Sequence, residues 1–165
     1  NNTLPVKVSF SAADNLSGVK TTTPNIDITQ EGIYDSQYQS IDNAGNVEIE
    51  KTITVGIDTI PPEVSITATP SILWPPDRKP VQVTINGSST DVLSGVSSKV
   101  FTVTDEYNEV NTSLSDFGQT IELIPWRTGD DKDGRIYTIK VVVTDKAGNS
   151  TIKETLGTVP HDMGK

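Results

Sequence analysis

Apolar and polar side chains alternate along most of the chain. Near the start, Val6, Val8 and Phe10 are separated by single polar residues, and residues 137–143 repeat the same alternation late in the chain. A period of two is typical of β-strands that bury one face. No window of eleven or more residues has the apolar spacing of a helix. The pattern therefore predicts an all-β protein.

Clusters of Gly, Asn, Asp and Pro separate the alternating runs and mark turns. The pattern predicts strands over residues 5–13, 19–23, 25–30, 33–41 and 47–56, and then over residues 63–69, 80–87, 96–104, 109–113, 119–124, 135–144 and 150–159. Short strands at this spacing favour antiparallel β-sandwiches. We expect the second set to form a full seven-stranded sandwich, and the first set to lack a first and a middle strand.

Two motifs occur twice and in the same order. Residues 14–19 (Asp-Asn-Leu-Ser-Gly-Val) match residues 91–96, and residues 42–46 (Asp-Asn-Ala-Gly-Asn) match residues 145–149. Tyr34 and Tyr137 stand at the same distance before the second motif of each pair. Three landmarks in one order indicate two copies of a single unit.

The boundary between the copies lies at the Pro61-Pro62 pair. Two prolines remove two backbone donors and stiffen the chain, so a ladder of hydrogen bonds cannot continue through them. We therefore predict a short domain over residues 1–58 and a full sandwich over residues 59–165. The short domain has three basic and eight acidic side chains, and a unit of this size buries little surface by itself.

Composition excludes several functions. The 165 residues have a net charge of −9, 33% apolar and 5% aromatic side chains, one histidine and no cysteine. Thiolate metal sites and disulfides need cysteine, and nucleic-acid binding needs a basic surface. No apolar run approaches the ~20 residues of a membrane span. Residues 1–10 show no signal peptide, so we expect a piece excised from a longer protein.

The repeated motifs, together with residues 58–62 (Asp-Thr-Ile-Pro-Pro), resemble bacterial immunoglobulin-like repeats of secreted and cell-surface proteins. The resemblance covers both copies and implies tandem Ig-like β-sandwiches in an extracellular or cell-surface location. It implies a non-catalytic spacer or accessory module whose partners are the neighbouring domains of a parent protein. The alternative is a carbohydrate- or protein-binding adhesion module attached to an extracellular enzyme.

The repeated aspartates are candidate metal ligands. In such a sandwich the turn after strand B and the turn between strands F and G lie at the same end, so Asp14 should approach Asp42, and Asp91 should approach Asp145. The linker should bring Asp58 to the second pair. Carboxylates and backbone carbonyls suit Ca²⁺, which takes six to eight oxygen ligands, and binding would stiffen the junction. The alternative is structural, since Asp also accepts hydrogen bonds from the backbone of its own turn.

Two further features of the sequence are candidate binding sites. Residues 130–134 (Asp-Asp-Lys-Asp-Gly) fail as an EF-hand, because Gly129 and Lys140 would occupy the first and last ligand positions; a solvated hairpin turn is favoured, with a weak calcium site as the alternative. Trp74 and Trp126 are candidates for stacking on sugars, although aromatic side chains more often pack in a core.

The remaining aromatic and ionisable residues favour structural roles. Tyr34 and Tyr137 begin the sixth strand of each sandwich, where a tyrosine corner closes a neighbouring loop. The only histidine, His161, lies in the tail of residues 159–165, which we expect to be frayed. A catalytic nucleophile needs an adjacent base and an orienting group, and no such set is evident. We therefore predict no catalytic residues.

Overall fold

The computed structural model describes residues 2–110 and 112–162, and these residues form β-strands and no helix. The chain divides into two compact units, Asn1–Ile60 (unit 1) and Pro61–Lys165 (unit 2). All of the strand pairs within the sheets are antiparallel. The all-β prediction is therefore confirmed.

Unit 1 contains six short strands: β1 (Val6–Val8), β2 (Val19–Thr22), β3 (Ile26–Ile28), β4 (Gly32–Tyr38), β5 (Ser40–Asp42) and β6 (Lys51–Ile57). They form three ladders, which are β1–β3, β2–β5 and β4–β6. Among the described residues of this unit, Ile28 and Ile57 are the buried hydrophobic side chains. Unit 1 therefore has a small core.

Three predicted strands of unit 1 differ from the structure. The strand predicted over residues 47–56 begins only at Lys51, as β6, and residues 48–50 are not a strand. The strand predicted over residues 33–41 is interrupted at Gln39, whose N–H donates to the Thr23 hydroxyl at 2.9 Å and whose carbonyl accepts from the Thr23 N–H at 3.1 Å. This pairing takes the place of the regular ladder. The strand predicted over residues 5–13 ends at Val8, and residues 9–13 have no strand partner among the described residues.

Unit 2 contains six strands: β7 (Glu63–Thr69), β8 (Val81–Thr90), β9 (Val96–Asp105), β10 (Gln119–Leu123), β11 (Arg135–Asp145) and β12 (Ser150–Val159). They form two sheets in the orders β10-β8-β7 and β12-β11-β9. Ile72 adds one parallel bridge to Thr158 on β12. In the letters used for immunoglobulin domains, β7, β8 and β10 correspond to strands A, B and E, and β9, β11 and β12 correspond to strands C, F and G. This arrangement is that of an immunoglobulin-like sandwich.

The core of unit 2 lies between its two sheets. Every second residue of β11 is buried, and Tyr137 and Ile139 pack with Val83, Ile85 and Leu123 from the opposite sheet. Each large apolar side chain buried in this way contributes about 1.5–3 kcal/mol. The alternation in the sequence therefore predicted the buried face correctly.

The strand predicted over residues 109–113 is wrong for its described part, residues 109–110 and 112–113; Asn111 lies outside the described residues. The Asp105 carboxylate accepts the N–H groups of Glu109 at 2.8 Å and Val110 at 3.3 Å. These bonds turn the chain after β9, and Val110 packs against the core instead of entering a ladder. The described residues of unit 2 thus form six strands and one bridge rather than seven strands.

Candidate functional site

The Asp91 loop (residues 91–95) joins β8 to β9. Oδ1 of Asp91 accepts the N–H groups of Ser94 at 2.9 Å and Gly95 at 2.6 Å. Gly95 has a φ of 78°, a left-handed conformation that costs little without a Cβ atom. The loop therefore has the structural role expected for an aspartate that organises its own turn.

The Asp145 loop (residues 145–149) joins β11 to β12 and is built in the same way. Oδ1 of Asp145 accepts the N–H groups of Gly148 at 2.6 Å and Asn149 at 2.9 Å, and Oδ2 accepts the Asn149 side-chain amide at 2.8 Å. The Lys146 N–H donates to the Gly95 carbonyl at 2.9 Å. This bond connects the two loops of unit 2.

The two loops place acidic groups close together, because carboxylate oxygens of Asp91 and Asp145 lie within 4.8 Å of one another. The register of β9 against β11 shifts between Thr144 and Asp145, where Asp145 faces Val96. Such a β-bulge turns side chains at the end of a sheet. Within unit 2, the predicted approach of this pair is therefore present.

Unit 1 repeats these loops. Oδ1 of Asp14 accepts the N–H groups of Ser17 and Gly18, each at 2.8 Å, and Oδ1 of Asp42 accepts the Asn46 N–H at 2.8 Å. The Asn43 N–H donates to the Gly18 carbonyl at 3.0 Å. The register also shifts at the same place, between Val19 and Thr21, next to the pairing of Val19 with Asp42. The structure thus reproduces the sequence repeat in detail.

These bonds stabilise the ionised form of the unit 1 aspartates. The N–H of Gly18 is the first cause that lowers the pKa of Asp14, and the side chain of Asn46 is the first cause that lowers the pKa of Asp42. Both carboxylates are therefore charged near neutral pH. Each is also already an acceptor of several hydrogen bonds.

Asp58 follows the last residue of β6. Its Oδ1 accepts the Ile60 N–H at 3.1 Å, which turns the chain toward the proline pair. The approach of Asp58 to Asp91 and Asp145 stays a prediction. Because Ca²⁺ takes six to eight oxygens, three carboxylates would need help from backbone carbonyls or water.

The two tryptophans lie in different surroundings. Trp74 is 44% exposed. Trp126 is half-buried, with the Arg78 guanidinium 4.4 Å from its ring centroid and the Tyr107 ring at 5.4 Å. Trp126 also lines a cavity of about 460 Å³ together with Glu109. The contacts of Trp126 resemble those of a packing residue, and sugar binding by either ring stays a prediction.

The loop over residues 130–134 is a turn held by Asp131. Its Oδ1 accepts the Gly134 N–H at 2.9 Å, and its Oδ2 accepts the Tyr107 hydroxyl. The bond from Tyr107 is the first cause that lowers the pKa of Asp131. The flanking strands β10 and β11 lie in different sheets, so the prediction of a hairpin is wrong and the loop is a turn between the sheets. Both oxygens of Asp131 have hydrogen-bond donors.

A buried ion pair in unit 2 was missed by the sequence reasoning. Arg135 donates from Nε to Oδ2 of Asp105 at 2.8 Å, and the two side chains are 2% and 0% exposed. The Arg135 guanidinium also lies 4.6 Å from the Tyr107 ring centroid and 4.7 Å from that of Tyr137. The sequence does contain a sign of this ion pair, because Asp105 and Arg135 both occupy inward positions of the alternating pattern on β9 and β11.

Both tyrosines predicted at the start of the sixth strand bond to the backbone of a preceding segment. The Tyr137 hydroxyl donates to the Ile124 carbonyl at 2.6 Å, and the Tyr34 hydroxyl lies 3.1 Å from the Gln30 carbonyl. Burial raises the pKa of Tyr137 to about 12. These bonds are those of a tyrosine corner.

Arg127 fixes the described part of the C-terminal tail through hydrogen bonds to its backbone. Arg127 donates from Nε to the Pro160 carbonyl at 3.1 Å and also bonds the His161 carbonyl, so the prediction of a frayed tail is wrong for these residues. Residues 163–165 lie outside the described residues. The His161 ring nitrogen Nδ1 lies 3.4 Å from Asp162.

No protein-family model and no curated protein matches the chain. A solved structure of the fibronectin(III)-like modules of Clostridium thermocellum CbhA is similar at 21% identity, covers 86% of this chain and 70% of its own, and has a TM-score of 0.39. A likeness this distant supports no argument about function. In the described part of the chain, no helix has the length and hydropathy needed to cross a membrane.

Proposed function

We propose that the chain is a non-catalytic immunoglobulin-like spacer or accessory module of a secreted or cell-surface bacterial protein. The observation that carries this proposal is the presence of two Ig-like units in one chain, each built on the same pair of aspartate loops. In both units the charged side chains of these loops bond to their own backbone. Such groups organise a scaffold, and the activity of a modular protein lies in the domains that the scaffold connects.

The finer part of the proposal is that Ca²⁺ stiffens the junction through Asp58, Asp91 and Asp145. The carboxylate oxygens of Asp91 and Asp145 lie within 4.8 Å of one another and repel, and a hard divalent cation relieves that repulsion. Asp14 and Asp42 form the equivalent but more exposed pair of unit 1. Hydrogen bonds already occupy part of each carboxylate, so we expect a weak site of the kind found in extracellular modules.

Thermal unfolding in millimolar Ca²⁺ and in chelator tests the metal. Binding to the folded state alone raises stability, and each kcal/mol raises the Tm of a domain of about 100 residues by about 4–8 °C. The Asp145→Asn variant should lose this response. The Glu154→Gln variant, at an exposed position of β12, is the control and should keep it. Equal Tm values in Ca²⁺, in Mg²⁺ and in chelator would reject the calcium site.

The spacer role is tested separately. Because the chain has no cysteine, Lys20→Cys and Lys153→Cys introduce one spin label into each unit. A stiff spacer predicts a narrow distribution of label-to-label distances in Ca²⁺. A broad distribution under all conditions would contradict a stiff connection, whatever the chain binds.

A carbohydrate- or protein-binding module is the second candidate. The exposed ring of Trp74 favours it, and the cavity beside Trp126 offers further contacts. Titration with oligosaccharides should shift the tryptophan fluorescence, and Trp74→Ala or Trp126→Ala should abolish the shift. No response across a broad panel of glycans would reject sugar binding.

A further inference from the structure

Strand β9 forms one edge of its sheet. In the order β12-β11-β9 it pairs with β11 on one side, and no described strand pairs with its other side. Successive backbone groups of a strand point to opposite sides, so every second N–H and C=O of β9 faces away from β11. In the described part of the chain, no other backbone group bonds to residues 97–104 from that side. We call this row of backbone groups the β9 edge.

The β9 edge is open because of how the unit 2 sandwich is built. The neighbours of β9 along the chain, β8 and β10, both belong to the opposite sheet. On the other side of the sandwich the edges are covered, since β7 lies against β12 and Ile72 bridges Thr158. The open edge therefore lies in the middle of the sequence, with a described strand before it and another after it.

The β9 edge lacks the features that usually keep two edges apart. Proteins protect exposed edges with proline, with bulges or with charges on the strand. Residues 96–105 contain no proline and no glycine, and the register shift lies near the first residues of β9, so residues 98–104 are regular. Lys99 lies opposite the buried Val143 and bonds Asp116, which keeps its charge on the inner side. The edge is therefore able to accept another strand.

The sequence of β9 fits a second copy of itself in one register. Two copies can run antiparallel with Val100 opposite Val100, and Lys99 then lies opposite Phe101, so no like charges meet. A register centred on Lys99 would place two ammonium groups opposite each other, which destabilises a sheet. A register centred between two residues would place outward side chains opposite inward ones. A register centred on Phe101 would separate the two Val100 side chains, which are 58% exposed in the single chain.

The outward face of the same sheet also favours a second copy. The chain has a net charge of −9, and a large net charge opposes self-association. On the described strands of this face, however, the charged side chains are Lys140 and Glu154, which lie opposite each other and cancel. Val100, Val142 and Ile152 form one apolar row across the three strands. A second copy centred on Val100 supplies the same row at the same height of the sheet, so that the row continues across both chains.

We propose that the β9 edge pairs with the β9 edge of a second copy of the chain, antiparallel and centred on Val100, so that two three-stranded sheets join into one sheet of six strands. The contact gains main-chain hydrogen bonds, as strand addition does elsewhere, and packs the two valine side chains against each other. An edge-to-edge contact is small beside the ~800 Å² per partner of a standard interface. The dimer is therefore weak, with a Kd in the micromolar to millimolar range.

Sedimentation equilibrium of the complete chain, from micromolar to millimolar concentration, measures the dimer. Val100→Lys places one ammonium group of each copy directly opposite the other and should weaken the dimer by about tenfold. Ile152→Lys is the matched control, because Ile152 is 57% exposed on the same face but lies on β12, away from the β9 edge. The control changes the net charge equally and should leave the Kd nearly unchanged.

Disulfide formation tests the register, because the chain has no cysteine. Residues directly opposite each other in antiparallel strands have Cα atoms about 4.5–5.5 Å apart, which suits a disulfide. Val100→Cys should therefore form a covalent dimer under mild oxidation. Thr104→Cys is the control: in the proposed register Thr104 lies opposite Val96, so the two introduced thiols are about 27 Å apart along the strands and should remain unlinked.

Hydrogen exchange distinguishes a second copy from other occupants of the edge. If a second copy pairs there, the amides of β9 that face away from β11 exchange quickly in dilute protein and slowly in concentrated protein. Slow exchange of these amides at every concentration would mean that another part of the chain covers the edge. Concentration-dependent protection confined to other residues would mean that a different surface associates. Either result would overturn the proposal.

Three further results would also overturn it. They are a chain that stays monomeric at millimolar concentration, equal Kd values for Val100→Lys and Ile152→Lys, and disulfide formation in Thr104→Cys as fast as in Val100→Cys. None of these measurements uses calcium or the distance between the units, so the proposed function is tested independently.

Discussion

Arg135 donates from Nε to Oδ2 of Asp105 at 2.8 Å, with both side chains buried between the sheets of unit 2. The second oxygen of Asp105 accepts backbone N–H groups from Glu109 and Val110. One carboxylate therefore neutralises the buried guanidinium and also fixes the chain after β9.

Replacement of Asp105 should destabilise unit 2 severely. Asp105→Ala leaves the guanidinium of Arg135 buried without its main partner, and breaking a buried pair typically costs about 3–5 kcal/mol. Denaturant unfolding measures the loss. The exposed Asp130→Asn variant is the control and should lie within about 0.5 kcal/mol of the parent chain.

Removal of both charges should be tolerated far better than removal of one. Replacing a buried ion pair with apolar residues of similar volume is often neutral or stabilising by about 1–4 kcal/mol. The double variant Asp105→Leu with Arg135→Met should therefore be more stable than Asp105→Ala. Equal stabilities of the two variants would show that the backbone bonds of Asp105, rather than the charge pair, matter most.

Acid should weaken unit 2 through the same group. Burial alone would raise the pKa of Asp105, but the bonds from Arg135 and the Glu109 N–H outweigh it, and the pKa lies below its ordinary value. The unfolded chain, with a carboxyl pKa of about 3.9, then binds the proton first as the pH falls. The stability contributed by Asp105 is present above about pH 4 and is lost as the pH falls through the folded value.

Unfolding free energies measured between pH 2 and pH 6 test this prediction. The parent chain should lose stability steadily in acid, and Asp105→Asn should start lower and fall less steeply. Asp14 and Asp42 also have a lowered pKa and contribute to the slope of both proteins. Parallel curves for the parent chain and the variant would contradict the assignment to Asp105.

The sequence predicts the features that depend on local pattern. The runs over 63–69 and 150–159 match β7 and β12, because each has strong alternation and clear turns at its ends. The aspartate loops follow from a motif whose chemistry is local, in which Asp bonds the N–H groups that follow it. Predictions from such local patterns agree with the structure because they do not depend on which distant strands pair.

Features that depend on distant partners are predicted less well. Residues 9–13 have the alternation of a strand but pair with no described strand. Because alternation does not show which strands pair, the prediction extends beyond Val8. The sequence of residues 109–113 resembles a strand, but the N–H groups of Glu109 and Val110 donate to the Asp105 carboxylate instead of to a neighbouring strand. The pairing of Asp105 with Arg135 depends on the register of β9 against β11, which single-sequence alternation does not fix.

The two tyrosine corners should differ in their contribution to stability. Tyr137→Phe removes the donor of a 2.6 Å bond to the Ile124 carbonyl inside the core and should cost about 1–2 kcal/mol. Tyr34→Phe removes a longer bond at a more exposed site and should cost less. Denaturant unfolding of the two variants gives the comparison, and a larger loss for Tyr34→Phe would contradict it.

Gly87 permits the close approach of β7 to β8 and should not tolerate a side chain. A Cβ atom there would lie 2.2 Å from the Ser65 carbonyl and 2.6 Å from the Phe117 ring. Because the first contact is with backbone, the strands themselves must separate, and overpacking of this kind costs about 1–3 kcal/mol.

Gly129→Ala, where an added Cβ meets nothing within 4 Å, is the matched control. Denaturant unfolding should show a clear loss for Gly87→Ala and almost none for Gly129→Ala, and a hydrogen-exchange comparison should localise the loss to residues 63–69. Equal stability of the two variants would mean that β7 can shift away from β8 at little cost.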